Sequence, residues 1–368
     1  MNITKFKAES FRNIESCELE LSDGVNILLG ENAQGKTNAV EGIYMFARGK
    51  FFRAAKESEV CRFGDCGFRL EVEYNEGGRK NSLSYSSFGR EKKITKNGYK
   101  INKIYEMLGG FRAILFSPDD LRLIKDSPEE RRSFLNIAIS QRSPVYIKYY
   151  SAYKKALENR NCILRLSKNG FPIDENELYS WSLSLAEYAS FIYLMRRDYI
   201  RKLSEFSFVE MNKISDGEEN LTLSYKSDII GDCDDREIIK EEYKRILTGE
   251  VERERAAGVS LFGVHHDDIE IMINGKSARS FASQGQMRSA VLALKLAEGE
   301  IIKEEYGEYP VYLFDDVLSE LDEKRKKYVL SKKGEKQIII TTCEAGDYMN
   351  FADRVIRVSE GRYVSSHR

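Results

Sequence analysis

The sequence predicts an α/β protein with a mixed sheet, a predominantly helical second lobe and no long coiled coil. The apolar run Val25–Leu29 has the length of a buried strand and leads into a glycine-containing loop. Apolar residues recur with helical spacing between about residues 127 and 216. Residues 311–314 form a second strand-like apolar run, and two aspartates follow it. No heptad pattern is sustained, so we expect the helical part to fold as a lobe.

The loop at residues 30–37 matches the complete phosphate-binding pattern G-x-x-x-x-G-K-[ST]. Its glycines let successive backbone N–H groups converge on phosphate, and the helix predicted to follow directs its positive end at the same charge. Lys36 is expected to reach the β and γ phosphates, and the Thr37 hydroxyl is expected to bind Mg²⁺. The predicted nucleotide-binding residues are Gly30, Glu31, Asn32, Ala33, Gln34, Gly35, Lys36 and Thr37.

Composition limits the partners of the chain. Its 368 residues suffice for two domains, and 58 Lys+Arg nearly cancel 59 Asp+Glu, so nucleic acid could be held only by a local basic patch. No apolar targeting or membrane segment is visible, which predicts a cytoplasmic protein. The six cysteines form no C-x-x-C pair, as expected of reduced thiols without a zinc site.

Strand and helix signals divide the chain. Alternation predicts strands within residues 2–30 and 68–86, and Asn274-Gly275 predicts the turn of a hairpin after residues 269–273. Ser127, Pro128 and Glu130 predict a helix start with a capping box. We therefore expect residues 1–120 and 281–368 to form an ATPase lobe, with residues 121–280 as a mainly helical lobe.

Two aspartates at the end of a buried strand suit phosphoryl transfer. Asp315 would hold Mg²⁺ directly or through water, and Asp316 would orient or deprotonate the attacking water. The plain alternative is a strand that ends in two solvated carboxylates. The phosphate loop upstream favours the catalytic interpretation.

Ser283, Gly285 and Gln286 precede a predicted helix, where a hydroxyl and backbone N–H groups could bind phosphate. Alternatively, Ser283 is only the N-cap of that helix. Its place ahead of Asp315 resembles the signature motif of the ATP-binding-cassette ATPases. That resemblance implies an ATP-dependent homodimer in which the signature of one subunit closes on ATP held by the other.

Further segments narrow the resemblance. Residues 11–14 and 30–38 resemble the ATPase heads of the structural-maintenance-of-chromosomes class. Other segments resemble the RecF family of bacterial DNA replication and repair proteins, namely residues 116–121, 127–135, 153–161, 265–268, 281–286 and 313–322.

The RecF resemblance implies a cassette-type head that binds ATP and Mg²⁺ and dimerises on ATP. It would bind single-stranded and gapped duplex DNA, hydrolyse ATP slowly when DNA is present, and help RecR and RecO load RecA. It also implies nucleotide contacts from Arg12, Asn13 and Asn38, and a D-loop that contains Ser319 and Asp322. Thr342 would stand at the usual switch histidine, and Arg53 would sense DNA.

Two other functions stay open. A transporter ATPase would usually carry glutamate at position 316, and the shorter Asp316 suits a slow switch. An ATP-dependent nuclease would need an additional acidic metal cluster. Basic pairs such as Lys92-Lys93 and Arg131-Arg132 are predicted mostly as solvated helix faces.

Overall fold

The computed structural model describes residues 1–54, 56–89, 91–229, 231–331 and 334–366. These residues form two compact units. The first contains residues 1–121, 206–219 and 283–368, and the second contains residues 122–205 and 220–282. Residues 206–219 belong to the first unit, although the sequence-based division placed them in the helical lobe. A contact within that unit explains this, since the Tyr328 hydroxyl donates to Glu210 Oε2 at 2.6 Å.

Elements are numbered in chain order. The strands are β1 Asn2–Phe11, β2 Ile14–Glu20, β3 Val25–Leu29, β4 Gly67–Glu76, β5 Arg79–Phe88, β6 Glu91–Lys96, β7 Tyr99–Ile101, β8 Ala113–Phe116, β9 Leu221–Lys226, β10 Asp268–Ile273, β11 Lys276–Ser277, β12 Val311–Asp315, β13 Ile338–Thr342, β14 Arg354–Ser359 and β15 Arg362–Ser366. The α-helices are α1 Lys36–Arg48, α2 Ile104–Met107, α3 Arg122–Lys125, α4 Pro128–Arg142, α5 Pro144–Lys168, α6 Glu175–Ser215, α7 Arg236–Gly249, α8 Val251–Ala257, α9 Ala278–Phe281, α10 Gln284–Tyr306 and α11 Glu323–Ser331.

The first unit contains two six-stranded sheets. One is antiparallel in the order β2-β1-β4-β5-β6-β7, and its strands alternate between buried and exposed residues. The other has the order β15-β14-β3-β13-β12-β8 and is parallel except for the antiparallel pair β14 and β15. The runs predicted as buried strands, β3 and β12, lie inside this parallel sheet, which explains why they read as continuous apolar segments. Both strand predictions are confirmed.

The second unit is predominantly helical, as expected, and also contains the three-stranded sheet β11-β10-β9. The predicted hairpin is confirmed, because Ile273 pairs with Lys276 across the turn at Asn274-Gly275. A buried ion pair between Arg160 and Glu254 lies in the core of this unit. The second unit therefore contains a small sheet and a buried ion pair in addition to its helices.

The capping box predicted at the start of α4 is wrong. Ser127 is the N-cap and Pro128 follows it, but the Ser127 side chain accepts no hydrogen bond from any described residue of the helix. The Glu130 carboxylate instead accepts a hydrogen bond from Arg122 at 2.6 Å. The charge-assisted hydrogen bond from Arg122 is stronger than a capping contact, so the Glu130 carboxylate does not contribute to the cap.

None of the helices in the described part of the chain combines the length and the apolar character needed to cross a bilayer.

Candidate nucleotide-binding site

The phosphate-binding loop leaves the parallel sheet at the end of β3 and enters α1 at Lys36. The Gly30 N–H donates to the Thr342 carbonyl at 3.2 Å, and a Cβ on Gly30 would overlap the Val358 carbonyl oxygen of β14. Gly35 has a φ of +114°, and a Cβ there would lie 2.7 Å from Asn13 Oδ1. Glycine is therefore required at Gly30 for space, and at Gly35 for both conformation and space.

The hairpin of β14 and β15 supports the far side of the loop. The Gly361 N–H donates to the Gln34 carbonyl at 2.9 Å, and the Tyr363 hydroxyl donates to the Gly35 carbonyl at 2.8 Å. The Glu360 N–H donates to Gln34 Oε1, so the Gln34 side chain is committed to the hairpin. Ala33 adopts a φ of +64°, which turns the loop back toward α1.

Lys36 lies inside the loop. Its ammonium donates to the carbonyls of Gly30 at 2.6 Å and Glu31 at 2.7 Å. The side chain is mostly buried, so its charge is held in place against the loop backbone. A triphosphate bound by this loop would find the ammonium already positioned.

The Thr37 hydroxyl and Asp315 meet at the end of β12. Thr37 Oγ1 donates to Asp315 Oδ1 at 2.8 Å. Octahedral Mg²⁺ holds its oxygen ligands at 2.0–2.1 Å, so neighbouring ligand oxygens lie about 2.9 Å apart. The observed separation therefore fits a Mg²⁺ ion that takes both groups into its coordination sphere, directly or through water. Within the described ranges, no cluster of three or more His, Cys, Asp or Glu side chains offers an alternative metal site.

Thr341 on β13 joins the two acids of the site. Its hydroxyl donates to Asp315 Oδ1 at 2.8 Å and accepts from the Asp316 N–H at 2.9 Å. Burial raises the pKa of Asp315, while the hydrogen bonds from Thr341 and Thr37 and the charge of Arg53 act in the opposite direction. Asp316 is exposed and has a φ of +55°, a conformation that L-residues rarely adopt.

Sequence reasoning missed a buried carboxylate beside the loop. Glu41 on α1 is fully buried and accepts two hydrogen bonds from the Arg12 guanidinium, at 2.9 and 3.1 Å. The Arg53 N–H also donates to Glu41, at 2.9 Å. A charged residue within the otherwise apolar stretch of α1 was the available signal. The charge of Arg12 is thus paired with Glu41 in this structure.

Two asparagines connect the β1–β2 turn to the loop. Asn38 Nδ2 donates to Asn13 Oδ1 at 2.7 Å, and Asn13 Nδ2 donates to the Ala33 carbonyl at 3.4 Å. An open pocket of about 640 Å³ lies against Arg12, Asn13 and Asn38, a volume typical of small-molecule sites. The expected nucleotide residues at positions 12, 13 and 38 therefore gather around one pocket.

Ser283 is the N-cap of α10 and forms a complete capping box. Its hydroxyl accepts from the Gln286 N–H at 3.2 Å, and Gln286 Oε1 accepts from the Ser283 N–H at 2.9 Å. Gly285 lies in the same first turn, and Arg325 of α11 donates to its carbonyl at 3.4 Å. The capping alternative is thus realised within the single chain, and the segment is exposed.

Ser319 and Asp322, the residues expected in a D-loop, stabilise the chain that follows β12. Ser319 Oγ donates to the Asp316 carbonyl at 3.1 Å. Asp322 Oδ1 accepts from the Arg325 N–H at 2.8 Å at the start of α11. The hydroxyl of Thr342 donates to the Glu344 carbonyl at 3.0 Å and lies 2.8 Å from the Tyr348 hydroxyl. Of the two adjacent threonines, Thr341 contacts the acids.

Comparison with known proteins gives consistent results. A family model described as the RecF/RecN/SMC N terminal domain matches residues 2–366. The DNA replication and repair protein RecF of Clostridioides difficile is 38% identical, with 99% of this chain and 98% of that protein covered. The protein of the same name from an Exiguobacterium species is 39% identical, with 93% and 92% covered.

Solved structures agree with these sequence relatives. A structure described as the recombination mediator protein RecF-ATPrS in the RecFOR pathway has a TM-score of 0.93 and 34% identity, with 99% of this chain and 98% of that chain covered. The corresponding RecF-ATP structure has a TM-score of 0.91 and 34% identity, with 99% and 97% covered. An Smc head domain from Pyrococcus furiosus has a TM-score of 0.57 at 18% identity, with 99% and 96% covered, and shares the fold.

Proposed function

The chain belongs to the RecF family of DNA replication and repair proteins, and from that premise we propose that it is an ATP-gated DNA-binding switch of recombinational repair. The contact of 2.8 Å between the Thr37 hydroxyl and Asp315 carries the nucleotide part of the proposal. It supplies two adjacent oxygen ligands for Mg²⁺ directly beside a complete phosphate-binding loop. The RecF structures described with ATP and ATPrS support ATP as the nucleotide.

Each residue of the site takes one role in this proposal. Lys36 and the loop N–H groups bind the β and γ phosphates, and Asn13, Asn38 and Arg12 border the nucleotide. Asp316 orients the attacking water and accepts its proton. Bound Mg²⁺ would neutralise charge on the β and γ oxygens during phosphoryl transfer.

The second half of each site comes from another copy of the chain. Ser283, Gly285 and Gln286 of one subunit would contact the γ phosphate held by the other, and Ser319 and Asp322 would lie at the junction. The exposure of Ser283 supports this role, because a phosphate could displace the capping contacts of its hydroxyl. Dimerisation would then report that ATP is bound.

Asp316 supports slow turnover. Its side chain is one methylene shorter than the glutamate usual in transporters, and its backbone is held in a strained conformation. A slow ATPase suits a switch that persists on DNA. We infer the remaining features from kinship: single-stranded and gapped duplex DNA as ligands, RecR and RecO as partners in loading RecA, and the cytoplasm as the location.

Replacing Lys36 with alanine tests the nucleotide site. Loss of a charge-assisted contact to phosphate is expected to weaken ATP binding by about tenfold or more. The measurement is a titration with a fluorescent ATP analogue in the presence of Mg²⁺. Lys50→Ala, an exposed lysine beyond the end of α1, is the control and should bind like the wild type. Unchanged ATP affinity in Lys36→Ala would remove the basis of the proposal.

A further inference from the structure

We propose that the outer face of strands β5, β6 and β7 binds the phosphate backbone of duplex DNA. The inference rests on the proposed function, since it assigns a surface to the DNA contact. The outer face is the side of the antiparallel sheet on which Lys7, Ser84 and Lys100 lie. Cross-strand pairing sets this face, because paired residues project to the same side of a sheet.

One row of paired residues crosses the whole sheet. The row runs through Glu18, Lys7, Glu71, Ser84, Thr95 and Lys100, one residue from each strand. The neighbouring row runs through Ser16, Glu9, Arg69, Ser86 and Lys93. In these two rows, charges of both signs occupy β2, β1 and β4, whereas hydroxyls and lysines follow on β5, β6 and β7. Glu91, which pairs with Phe88, lies on the same face at the start of β6.

The lysines at the two ends of the sheet differ in their partners. Lys5 and Lys7 on β1 form ion pairs with Glu18, at 2.6 and 3.4 Å. Lys93 and Lys100 are exposed, and no carboxylate among the described residues forms an ion pair with either. Their positive charge is thus available to an anion from solution.

The lysines of β6 project to different sides of the sheet, because side chains alternate in direction along a strand. Lys92 projects to the inner side and forms an ion pair with Glu57 at 2.8 Å. Lys96 also projects inward, because it pairs with Leu83, which is fully buried. Lys93 lies between them and projects outward. The prediction of a solvated helix face at Lys92-Lys93 is therefore wrong, because the pair lies on a strand and its members face opposite ways.

Strand β5 presents short side chains that carry hydroxyl groups beside these lysines. Ser82, Ser84 and Ser86 occupy successive outer positions, and Ser84 Oγ lies 2.6 Å from Thr95 Oγ1. Small side chains leave room for a bulky ligand to approach the strand, and hydroxyls donate readily to phosphate oxygens. Two lysines at diagonal positions, with Cβ atoms about 7–8 Å apart, can contact separate phosphates of one strand.

Charge complementarity identifies the ligand as a polyanion. The net charge of the chain is -1, so its overall field does not attract DNA and a local surface must do so. The outer face offers Lys93, Lys100 and the hydroxyls of β5 and β6, beside the carboxylate of Glu91. Contacts of this kind hold the duplex backbone without reading its sequence.

The test compares two double substitutions that change the net charge equally. Lys93→Gln with Lys100→Gln removes the unpaired lysines, and Lys5→Gln with Lys7→Gln removes the paired ones from the same face of the same sheet. Affinity for a fluorescein-labelled duplex is measured with ATP over a salt titration. The first variant should bind about tenfold more weakly at low salt, and the slope of log K against log salt should fall by about two. The control variant should behave like the wild type.

A third variant, Ser86→Glu, adds a negative charge directly opposite Lys93 and should also weaken binding. ATP affinity of every variant should stay at the wild-type value, which confirms an intact fold. If the wild type binds duplex DNA with ATP and the Lys93/Lys100 variant has the same affinity and salt slope, this surface is wrong and the proposed function stands. If the wild type fails to bind DNA in any nucleotide state, the proposed function fails, and this inference fails with it.

Discussion

Thr341 is the residue on which the geometry of the two acids depends. Its single hydroxyl donates to the Asp315 carboxylate and accepts from the Asp316 N–H. It therefore holds the proposed Mg²⁺ ligand and fixes the unusual backbone of the proposed general base at the same time. Sequence reasoning assigned the neighbouring Thr342 to the switch position, whereas the hydroxyl of Thr342 interacts with Glu344 and Tyr348.

Thr341→Val keeps the shape of the side chain and removes the hydroxyl. Loss of two hydrogen bonds, each worth about 1 kcal/mol, should lower kcat for ATP hydrolysis by about tenfold or more. ATP affinity should change little, because the phosphate loop is untouched. Thr341→Ser restores the hydroxyl and should recover most of the activity. Single-turnover hydrolysis and ATP titration separate the two effects. Equal kcat in the valine and serine variants would contradict this positioning role.

At the scale of elements, helix α10 connects the segment at Ser283 to the turn after β8. Lys295 Nζ lies 2.9 Å from Asp120 Oδ1, and Asp120 Oδ2 accepts from the Ser117 N–H at 2.6 Å. Glu298 lies one turn further along α10, and both α10 residues are mostly buried. The turn that follows the edge strand of the parallel sheet is thus tied to the helix that begins after Ser283.

Glu298 should give the stability of the protein a distinctive pH dependence. Burial raises its pKa to about 7, while Lys295 acts to lower the pKa and Asp120 acts to raise it. The folded state therefore holds a proton that the unfolded chain loses near pH 4.5, so the folded state loses stability as the pH rises from about 4.5 through 7. Tyr44 and Lys295 share this cluster and keep their protons throughout the range, because the pKa of each is raised, to about 12 for Tyr44.

Glu298→Gln should remove this loss of folding stability with rising pH. Urea unfolding of the wild type and the variant at several pH values measures it, with Glu304→Gln on the same helix as the exposed control. The variant should gain stability relative to the wild type as the pH rises, by up to about 3 kcal/mol at pH 8. A constant difference from pH 4 to pH 8 would show that Glu298 does not titrate in this range.

At the scale of the whole molecule, the proposal requires two copies of the chain. The loop, Thr37 and Asp315 come together within one chain, while Ser283 and Gln286 satisfy each other in the capping box. In the proposal, the signature of a second subunit closes the site. Two sites formed in this way would make dimerisation depend on ATP.

Ser283→Arg should block closure and leave ATP binding intact. The long cation replaces a small hydroxyl at the position proposed to meet the partner's phosphate, and loss of the cap costs about 1 kcal/mol, too little to unfold the protein. Light scattering with and without ATP measures dimerisation. Ser16→Arg, an exposed position on β2, is the matched control and should dimerise normally. Normal dimerisation of Ser283→Arg would contradict the shared site.

Local patterns were sufficient to determine the phosphate loop, the buried strands β3 and β12, the long helices and the hairpin at Asn274-Gly275. Each depends on residues close in sequence, where periodicity and turn chemistry act directly. The tertiary structure alone decided which groups meet. Thr37 and Asp315, which form a hydrogen bond, are 278 positions apart in the sequence. Arg12 pairs with Glu41. Glu130, predicted as part of a helix cap, instead accepts a hydrogen bond from Arg122. Strand pairing also decided which lysines of β6 and β7 face outward, because cross-strand register depends on residues that no local pattern compares.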